Sequence, residues 1–128
     1  MARLTILLVE DDESVRAAFA ALLEMKGFQV LRAADGLQAL EVSRQYEGTI
    51  DVVISDCVMA KLSGPELGRR LKAERPEIKI IHMSGYSDDT VPPHMTMHAE
   101  AVFLGKPVSL TVLLHTIEDL CSKGKPEI

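Results

Sequence analysis

Three short apolar runs constrain the fold of this chain more than any other feature. Leu4–Val9, Asp51–Ser55 and Ile78–Met83 are rich in isoleucine, leucine and valine, and few polar residues interrupt them. A strand that is buried on both faces of a parallel sheet has this composition, whereas a strand with one solvated face alternates apolar and polar residues. The runs therefore predict three parallel strands.

Helical patterns separate the predicted strands. After the first strand, Val15, Phe19, Leu22 and Leu23 are spaced as one apolar stripe on a helix, which Gly27 can end. The same alternation continues and predicts further strands and helices. The strands are Phe28–Ala33 and Ala101–Leu104, and the helices run from about Asp35 through Leu37 and Leu40, from Pro65 to near Pro76, and through Leu110, Leu113, Leu114 and Ile117.

Five strand-helix units predict an α/β fold in which helices cover both faces of a parallel sheet. The chain of 128 residues has the length of one domain, so we expect residues 1–128 to form a single domain. Pro92 and Pro93 fall where the fourth helix should lie, and two adjacent prolines cannot lie inside a regular helix. We expect that helix to be short, displaced or mobile.

Polar residues follow the ends of the predicted strands. Glu10 and Asp11 follow the first strand, Asp56 ends the third, Ser84 ends the fourth and Lys106 follows the fifth. The carboxyl ends of parallel strands meet at one edge, where α/β sheets bind their ligands. Clustered carboxylates repel one another unless a cation lies among them, and oxygen-only ligands favour a hard ion such as Mg²⁺.

These residue types suit the transfer of a phosphoryl group. A carboxylate beside Mg²⁺ can attack phosphorus while the metal ion and an ammonium group offset the charge on the phosphoryl oxygens. Asp56 is the candidate nucleophile, and Lys106 supplies the ammonium. The hydroxyl of Ser84 can donate to the same oxygens, so an acyl phosphate on Asp56 would draw Ser84 and its loop inward.

Four motifs resemble a known family, the CheY-like receiver domains of bacterial response regulators and hybrid sensor kinases. They are Val9-Glu10-Asp11-Asp12, the run Ser55-Asp56-Cys57-Val58-Met59, Met83-Ser84-Gly85-Tyr86 and Lys106-Pro107. Their order and spacing agree with the family over nearly the whole chain. The resemblance implies a flavodoxin-like, doubly wound, five-stranded parallel sheet of order 2-1-3-4-5 with about five helices.

The resemblance also implies roles for individual residues. Glu10 and Asp11 would be the acidic pair, with Asp11 the stronger candidate for direct contact with Mg²⁺, for which Mn²⁺ could substitute. Asp56 and the backbone carbonyl of Val58 would complete the protein ligands of the metal, and Asp12 would instead cap a helix.

Signalling roles follow from the same resemblance. Ser84 and Phe103 would form a switch pair in which the ring turns inward after Ser84 moves, and a cis peptide bond would join Lys106 to Pro107. The phosphoryl donor would be the phosphohistidine of a histidine kinase or a histidine phosphotransfer domain. The partner-binding surface would comprise the fourth predicted helix, the fifth strand and the fifth helix, and a homodimer on activation is compatible with the family.

The chain departs from the family pattern at several positions. Ala60 stands where the family usually has proline, which loosens the loop after Asp56 but removes no ligand. Pro92 and Pro93 change the helix that usually contributes to the partner-binding surface. Tyr86 lies in a position that flanks the phosphoryl site, and its ring is expected to shield an acyl phosphate from water.

Three other functions fit the sequence less well. An aspartate-dependent phosphohydrolase needs a second acidic residue two positions after the nucleophile, and Val58 occupies that position. A degenerate receiver that acts only by docking would lack one of the acids, the lysine or the phosphoacceptor, and all are present. A flavin-binding protein of the same fold needs a glycine-rich and hydroxyl-rich phosphate loop after the first strand, and this sequence has Glu10, Asp11 and Asp12 there instead. The sequence leaves open whether this receiver is a stand-alone regulator or part of a hybrid kinase or a larger regulator.

Composition and the remaining motifs exclude several functions. With 14 Lys and Arg against 19 Asp and Glu, a net charge of −5 and no basic cluster, we expect no direct binding to nucleic acid. No apolar run approaches the roughly 20 residues that span a bilayer, so we expect a cytoplasmic protein without membrane insertion.

Cys57 and Cys121 are expected to be reduced thiols. We expect His94 and His98 to be surface residues and His82 to be packed and hydrogen-bonded.

Overall fold

The computed structural model describes residues 3–57, 61–84, 101–105 and 109–123. Within these residues, five strands alternate with four helices along most of the chain. The strands are β1 (Thr5–Val9), β2 (Gln29–Ala33), β3 (Val52–Asp56), β4 (Lys79–Ser84) and β5 (Ala101–Gly105). The helices are α1 (Glu13–Met25), α2 (Gly36–Gln45), α3 (Gly64–Glu74) and α4 (Leu110–Lys123).

The strands form one parallel sheet of order β2-β1-β3-β4-β5. Register places equivalent positions side by side: Val9 lies opposite Ser55, Ser55 opposite His82, and His82 opposite Phe103. The prediction of a doubly wound parallel sheet of this order is confirmed. The predicted strand boundaries agree with the structure to within one or two residues.

Two hydrophobic cores cover the two faces of the sheet. On one face, Leu40 of α2 and Leu67 and Leu71 of α3 pack against apolar side chains from the central strands. On the other face, Leu23 of α1 and Ile117 of α4 pack against the alternate residues of the same strands. Because successive strand residues point to opposite faces, continuous apolar strands supply both cores.

Helix α1 differs from its sequence pattern in the residues that it buries. Val15 and Leu22 are 39% and 40% exposed, although both belong to the predicted apolar stripe. Ala20 and Leu23 are the buried residues of the helix, and Phe19 packs beside them. The predicted helix is present, but its apolar stripe does not coincide with its buried face, which is centred on Ala20 and Leu23.

Short polar side chains begin all four described helices, and Ser109 does so for α4. Asp12, Asp35 and Ser63 each accept a hydrogen bond from a backbone N–H in the first turn of α1, α2 and α3, respectively. Such caps satisfy N–H groups that have no partner inside the helix. The predicted capping role of Asp12 is confirmed, with a distance of 2.9 Å from the Val15 N–H to the Asp12 carboxylate.

Arg75 connects the C-terminal ends of α2 and α3. Its guanidinium donates to the backbone carbonyls of Ser43, Tyr46 and Gly48, each at 2.8 Å, and to the Ser43 hydroxyl at 2.8 Å. Carbonyls at the end of a helix lack partners within it, and a planar guanidinium can satisfy several at once. The two helices are therefore fastened together at this end.

The segment that contains Pro92 and Pro93, where the fourth predicted helix falls, lies outside the described residues. Cys57 and Cys121 are thiols rather than partners in a disulfide. In the part of the chain that the structure describes, no helix combines the length and the apolar character needed to cross a membrane.

Candidate functional site

Three carboxylates meet at the carboxyl edge of the sheet. Glu10 and Asp11 follow β1, Asp56 ends β3, and these two strands are neighbours. One carboxylate oxygen from each of the three residues lies within 4.8 Å of the other two. Glu10 and Asp56 are only 4% and 8% exposed, whereas Asp11 is exposed. Two carboxylates of this acidic group are therefore buried, and the third faces solvent.

The fold positions Glu10 through its backbone. The Glu10 N–H donates to the Ala33 carbonyl at 3.0 Å, and Arg16 on α1 donates to the Glu10 carbonyl at 2.7 Å. One carboxylate oxygen of Glu10 accepts from the Asp12 N–H at 3.1 Å. Glu10 is thus held between the sheet and the first turn of α1, with its carboxylate directed into the acidic group.

The acidic group fits a hard divalent cation. Its donors are carboxylate oxygens, which Mg²⁺ and related ions prefer over nitrogen or sulfur ligands. Three negative charges at this spacing repel one another, and two of them lie in a largely buried environment. A cation among them would replace that repulsion with attraction. Among the described residues, no other set of three acidic, histidine or cysteine side chains comes this close together.

Gly64 allows α3 to begin directly against the backbone of the phosphoacceptor candidate. A β-carbon at Gly64 would overlap the Asp56 carbonyl oxygen and would lie 3.1 Å from the α-carbon of Cys57. The Gly64 N–H also donates to the Cys57 carbonyl at 2.9 Å. The start of α3 therefore fixes the backbone at the end of β3, and only glycine permits this approach.

The loop between β3 and α3 has a second attachment, at Lys61. Lys61 adopts a φ of 73°, which is uncommon for a residue with a side chain, and its ammonium lies 3.5 Å from the Asp35 carboxylate. A hydrogen bond from the Gln38 N–H lowers the pKa of Asp35, and the nearby Lys61 charge lowers it further. The loop is thus linked to the N-terminus of α2.

A row of side chains runs across the sheet one residue before the carboxyl edge. The Ser55 hydroxyl lies 3.2 Å from Nδ1 of His82, and the His82 and Phe103 ring centroids are 5.0 Å apart. His82 is buried and hydrogen-bonded, as predicted. Phe103, the predicted switch aromatic, is half-buried on the edge strand β5.

The other predicted site residues are described only in part or not at all. Ser84 ends β4 and lies opposite Gly105, but its side chain is outside the described part of the structure. Val58, Lys106 and Tyr86 lie outside the described residues. The sequence interpretation missed Arg16 and Gly64 as supports of the site. A glycine directly before the proline that begins a helix was a signal for the second.

Comparisons with known proteins identify the family. The family model for the response regulator receiver domain matches residues 6–118. The chain belongs to this family, which serves two-component signalling. The resemblance inferred from the four motifs is confirmed.

Two curated relatives from Brucella abortus illustrate the range of proteins that contain this domain. The chain is 40% identical over 119 residues to the sensor kinase CckA, covering 93% of this chain but only 13% of that protein. It is 32% identical over 115 residues to the response regulator receiver protein CpdR, covering 90% of this chain and 94% of that protein. The domain thus resembles both a small part of a kinase and nearly all of a regulator.

Solved structures agree with this assignment. A response regulator receiver domain from Clostridium thermocellum is 30% identical, with a TM-score of 0.84 and coverage of 94% of this chain and 96% of that one. The receiver domain of the hybrid histidine kinase CckA is 32% identical, with a TM-score of 0.77 and coverage of 91% and 98%, respectively. The predicted flavodoxin-like receiver fold is confirmed.

Proposed function

We propose that this receiver domain, formed by residues 1–128, accepts a phosphoryl group on Asp56 from a phosphohistidine. The single observation that supports the proposal best is the convergence of Glu10, Asp11 and Asp56, whose ligand oxygens lie within 4.8 Å of one another at the carboxyl edge of the sheet. In a member of the receiver family, an acidic group at this edge is the expected place for phosphoryl chemistry.

Asp56 is the nucleophile in this proposal. A carboxylate oxygen of Asp56 attacks phosphorus, a P–O bond forms, the P–N bond to the donor histidine breaks, and the imidazole nitrogen leaves with the bonding electron pair. Burial of Asp56 limits the water around the nucleophile, and the contact with Gly64 fixes the backbone that carries it.

Glu10, Asp11, Asp56 and the Val58 carbonyl would hold Mg²⁺, or Mn²⁺ in its place. When bound, the ion offsets negative charge on the carboxylates and on the phosphoryl oxygens. Glu10 is braced by Arg16 and by the Asp12 N–H, so its carboxylate is held in position before a cation binds. Lys106 would provide the second positive charge at the phosphoryl oxygens.

Ser84 and Phe103 would convert the new bond into a change of surface. The Ser84 hydroxyl would donate to a phosphoryl oxygen, and the ring of Phe103 would turn toward the space that Ser84 vacates. Phe103 lies half-buried on β5, the outermost strand on its side of the sheet. The partner would be a histidine kinase or a histidine phosphotransfer domain, and activation would permit a homodimer to form.

Acetyl phosphate and intact-protein mass spectrometry test the proposal directly. With Mg²⁺ present, the parent protein should gain the mass of one phosphoryl group, and Asp56→Asn should gain none because the amide is a poor nucleophile. Asp51→Asn is a matched control, since Asp51 lies at the other end of the same strand and outside the acidic group.

The outcomes separate the alternatives clearly. A phosphoryl adduct on Asp56→Asn, or none on the parent protein, would contradict the assignment of Asp56. An adduct that forms equally well in excess EDTA would contradict the role of a divalent cation. Loss of the adduct in an Asp51→Asn variant that is shown to be folded would mean that the acidic group is not the determinant of the reaction.

A further inference from the structure

His82 occupies an unusual place for a polar ring. It lies in the middle of the sheet on β4 and is only 1% exposed, between the apolar residues Ile81 and Met83. Its Nδ1 lies 3.2 Å from the hydroxyl of Ser55, the residue that directly precedes Asp56 on β3. The imidazole is therefore tied to the backbone segment that carries the candidate phosphoacceptor.

The opposite side of the same ring contacts Phe103. The centroids of the two rings are 5.0 Å apart, and the ring planes are inclined by 43°. His82 and Phe103 are register partners on adjacent strands, so their side chains point to the same face of the sheet. The imidazole thus lies directly between Ser55 and Phe103.

Helix α3 closes the third side of this site. A β-carbon at Gly68 would lie 3.5 Å from Nε2 of His82, which is ordinary van der Waals contact. The backbone of α3 at Gly68 is therefore near enough to the imidazole that a β-carbon there would touch the ring. With a strand neighbour on each side and a helix backbone above, the imidazole cannot change its orientation independently of these neighbours.

A purely space-filling role for His82 does not explain its contacts with Ser55 and Phe103. Burial of a polar ring costs free energy that an isoleucine or leucine at the same position would avoid. A hydrogen bond to Ser55 offsets part of that cost and also fixes the plane of the ring, which an aliphatic side chain could not do. The orientation of an aromatic neighbour depends on that plane.

We propose that His82 is a positioning residue that sets the orientation of the Phe103 ring and transmits movement of the Ser55–Asp56 segment to it. This inference rests on the proposed phosphorylation of Asp56. A shift of that segment moves the Ser55 hydroxyl, the hydrogen bond moves the imidazole, and the imidazole moves the half-buried ring of Phe103. The path is contiguous and crosses three adjacent strands.

The ring of Phe103 can be observed directly by fluorine NMR. The protein contains three phenylalanines, Phe19, Phe28 and Phe103, so incorporation of 4-fluorophenylalanine gives three resonances. The resonance that disappears in Phe103→Leu belongs to Phe103. In the parent protein, addition of Mg²⁺ and acetyl phosphate should shift the Phe103 resonance and leave the other two nearly unchanged.

Two variants test the role of His82. His82→Ala should retain phosphorylation of Asp56 by mass but lose most of the phosphorylation-dependent shift of Phe103. Ser55→Ala keeps the imidazole and removes only its hydrogen-bond partner, so it should give an intermediate shift. A residue with a purely structural role would change the unfolding temperature in both variants without changing this shift.

The result that would overturn the inference is a full phosphorylation-dependent shift of Phe103 in Ser55→Ala and in His82→Ala. If His82→Ala does not fold, Ser55→Ala decides alone, because loss of one hydroxyl preserves the packing of the ring. Failure of the proposed function gives a different result, since the parent protein would then show neither the mass adduct nor the shift.

Discussion

Strand β3 has an aspartate at each end, and the two residues have opposite surroundings. Asp51, which directly precedes the strand, accepts a hydrogen bond from the Thr5 N–H at 2.8 Å, and its own N–H donates to the Thr5 carbonyl at 2.8 Å. Asp56, at the other end, lies among the carboxylates of Glu10 and Asp11. Asp51 is bonded to the backbone of a neighbouring strand, whereas Asp56 lies close to two other carboxylates.

The contrast shows how position in a parallel sheet decides what a carboxylate does. At the amino edge, Asp51 joins β3 to β1 and also accepts a backbone bond from Lys79 at 2.9 Å. At the carboxyl edge, the strand ends leave a space into which several acids point. Asp51 therefore stabilises the fold, whereas Asp56 is held in an arrangement that a cation among the carboxylates would make more favourable.

The largest expected effect comes from changing the backbone contact beneath Asp56. Gly64→Ala places a β-carbon against the Asp56 carbonyl, so the helix or the strand end must move. We expect a loss of about 3 kcal/mol in the free energy of unfolding, measured by urea denaturation.

Gly105→Ala is the matched control for this change. Among the described residues, a β-carbon at Gly105 meets nothing within 4 Å, so the free energy of unfolding should change by less than about 0.5 kcal/mol. Equal losses in the two variants would show that the approach of Gly64 to Asp56 is not the cause.

Asp51→Ala should destabilise the protein. The Thr5 N–H loses the carboxylate that it bonds, in a partly buried position, which costs about 2 kcal/mol of unfolding free energy. Asp51→Asn keeps an oxygen acceptor and should lose clearly less. Similar stabilities for the parent protein and Asp51→Ala would mean that the two ends of β3 are not as different as the geometry indicates.

Asp56→Asn should raise the free energy of unfolding when divalent cations are removed, unlike the two preceding destabilising changes. Replacing one of three clustered carboxylates with a neutral amide relieves repulsion, and we expect a gain on the order of 1 kcal/mol in unfolding free energy. The measurement is urea denaturation in EDTA, with Asp51→Asn as control. A lower stability of Asp56→Asn under these conditions would contradict the like-charge description of the site.

The smallest expected effect concerns the loop attachment at Asp35. The pKa of this carboxyl is lowered in the folded protein, so ionised Asp35 stabilises the fold above its unfolded pKa, and this contribution is lost as the pH falls through the folded value. Asp35→Asn retains a helix cap but cannot titrate. Its unfolding temperature should fall less than that of the parent between pH 6 and pH 3. An identical fall would argue against this contribution.

Most of the fold was predictable from the sequence because the continuous apolar runs of the strands and the apolar spacing of the helices were both clear. Continuous apolar runs such as Ile78–Met83 require burial on both faces, and the helices between them require a parallel arrangement. The burial of α1 was less predictable. Val15 and Leu22 satisfy the helical spacing, but the choice between adjacent faces of a helix depends on packing against the sheet.

The acidic residues of the site were also predictable, since strand ends and carboxylates coincide at Glu10, Asp11 and Asp56. The supports of the site were not. Arg16 acts through the Glu10 carbonyl, and no sequence pattern shows which polar atom an arginine side chain meets. The glycine before Pro65 is a signal for a tight start of α3, but it does not show that the Asp56 backbone lies against it. The link from Ser55 through His82 to Phe103 depends on strand register, which only the assembled sheet defines.

The bonds of Arg75 have a consequence for how force passes through the protein. Its side chain donates to three carbonyls at and just after the end of α2. Glu74, the preceding residue, also forms an ion pair with Arg44 of α2 at 2.7 Å. A partner that displaces one of these helices therefore displaces the other as well. We expect α2 and α3 to move together as a rigid pair, with the least movement near Gly64, where α3 contacts the Asp56 backbone.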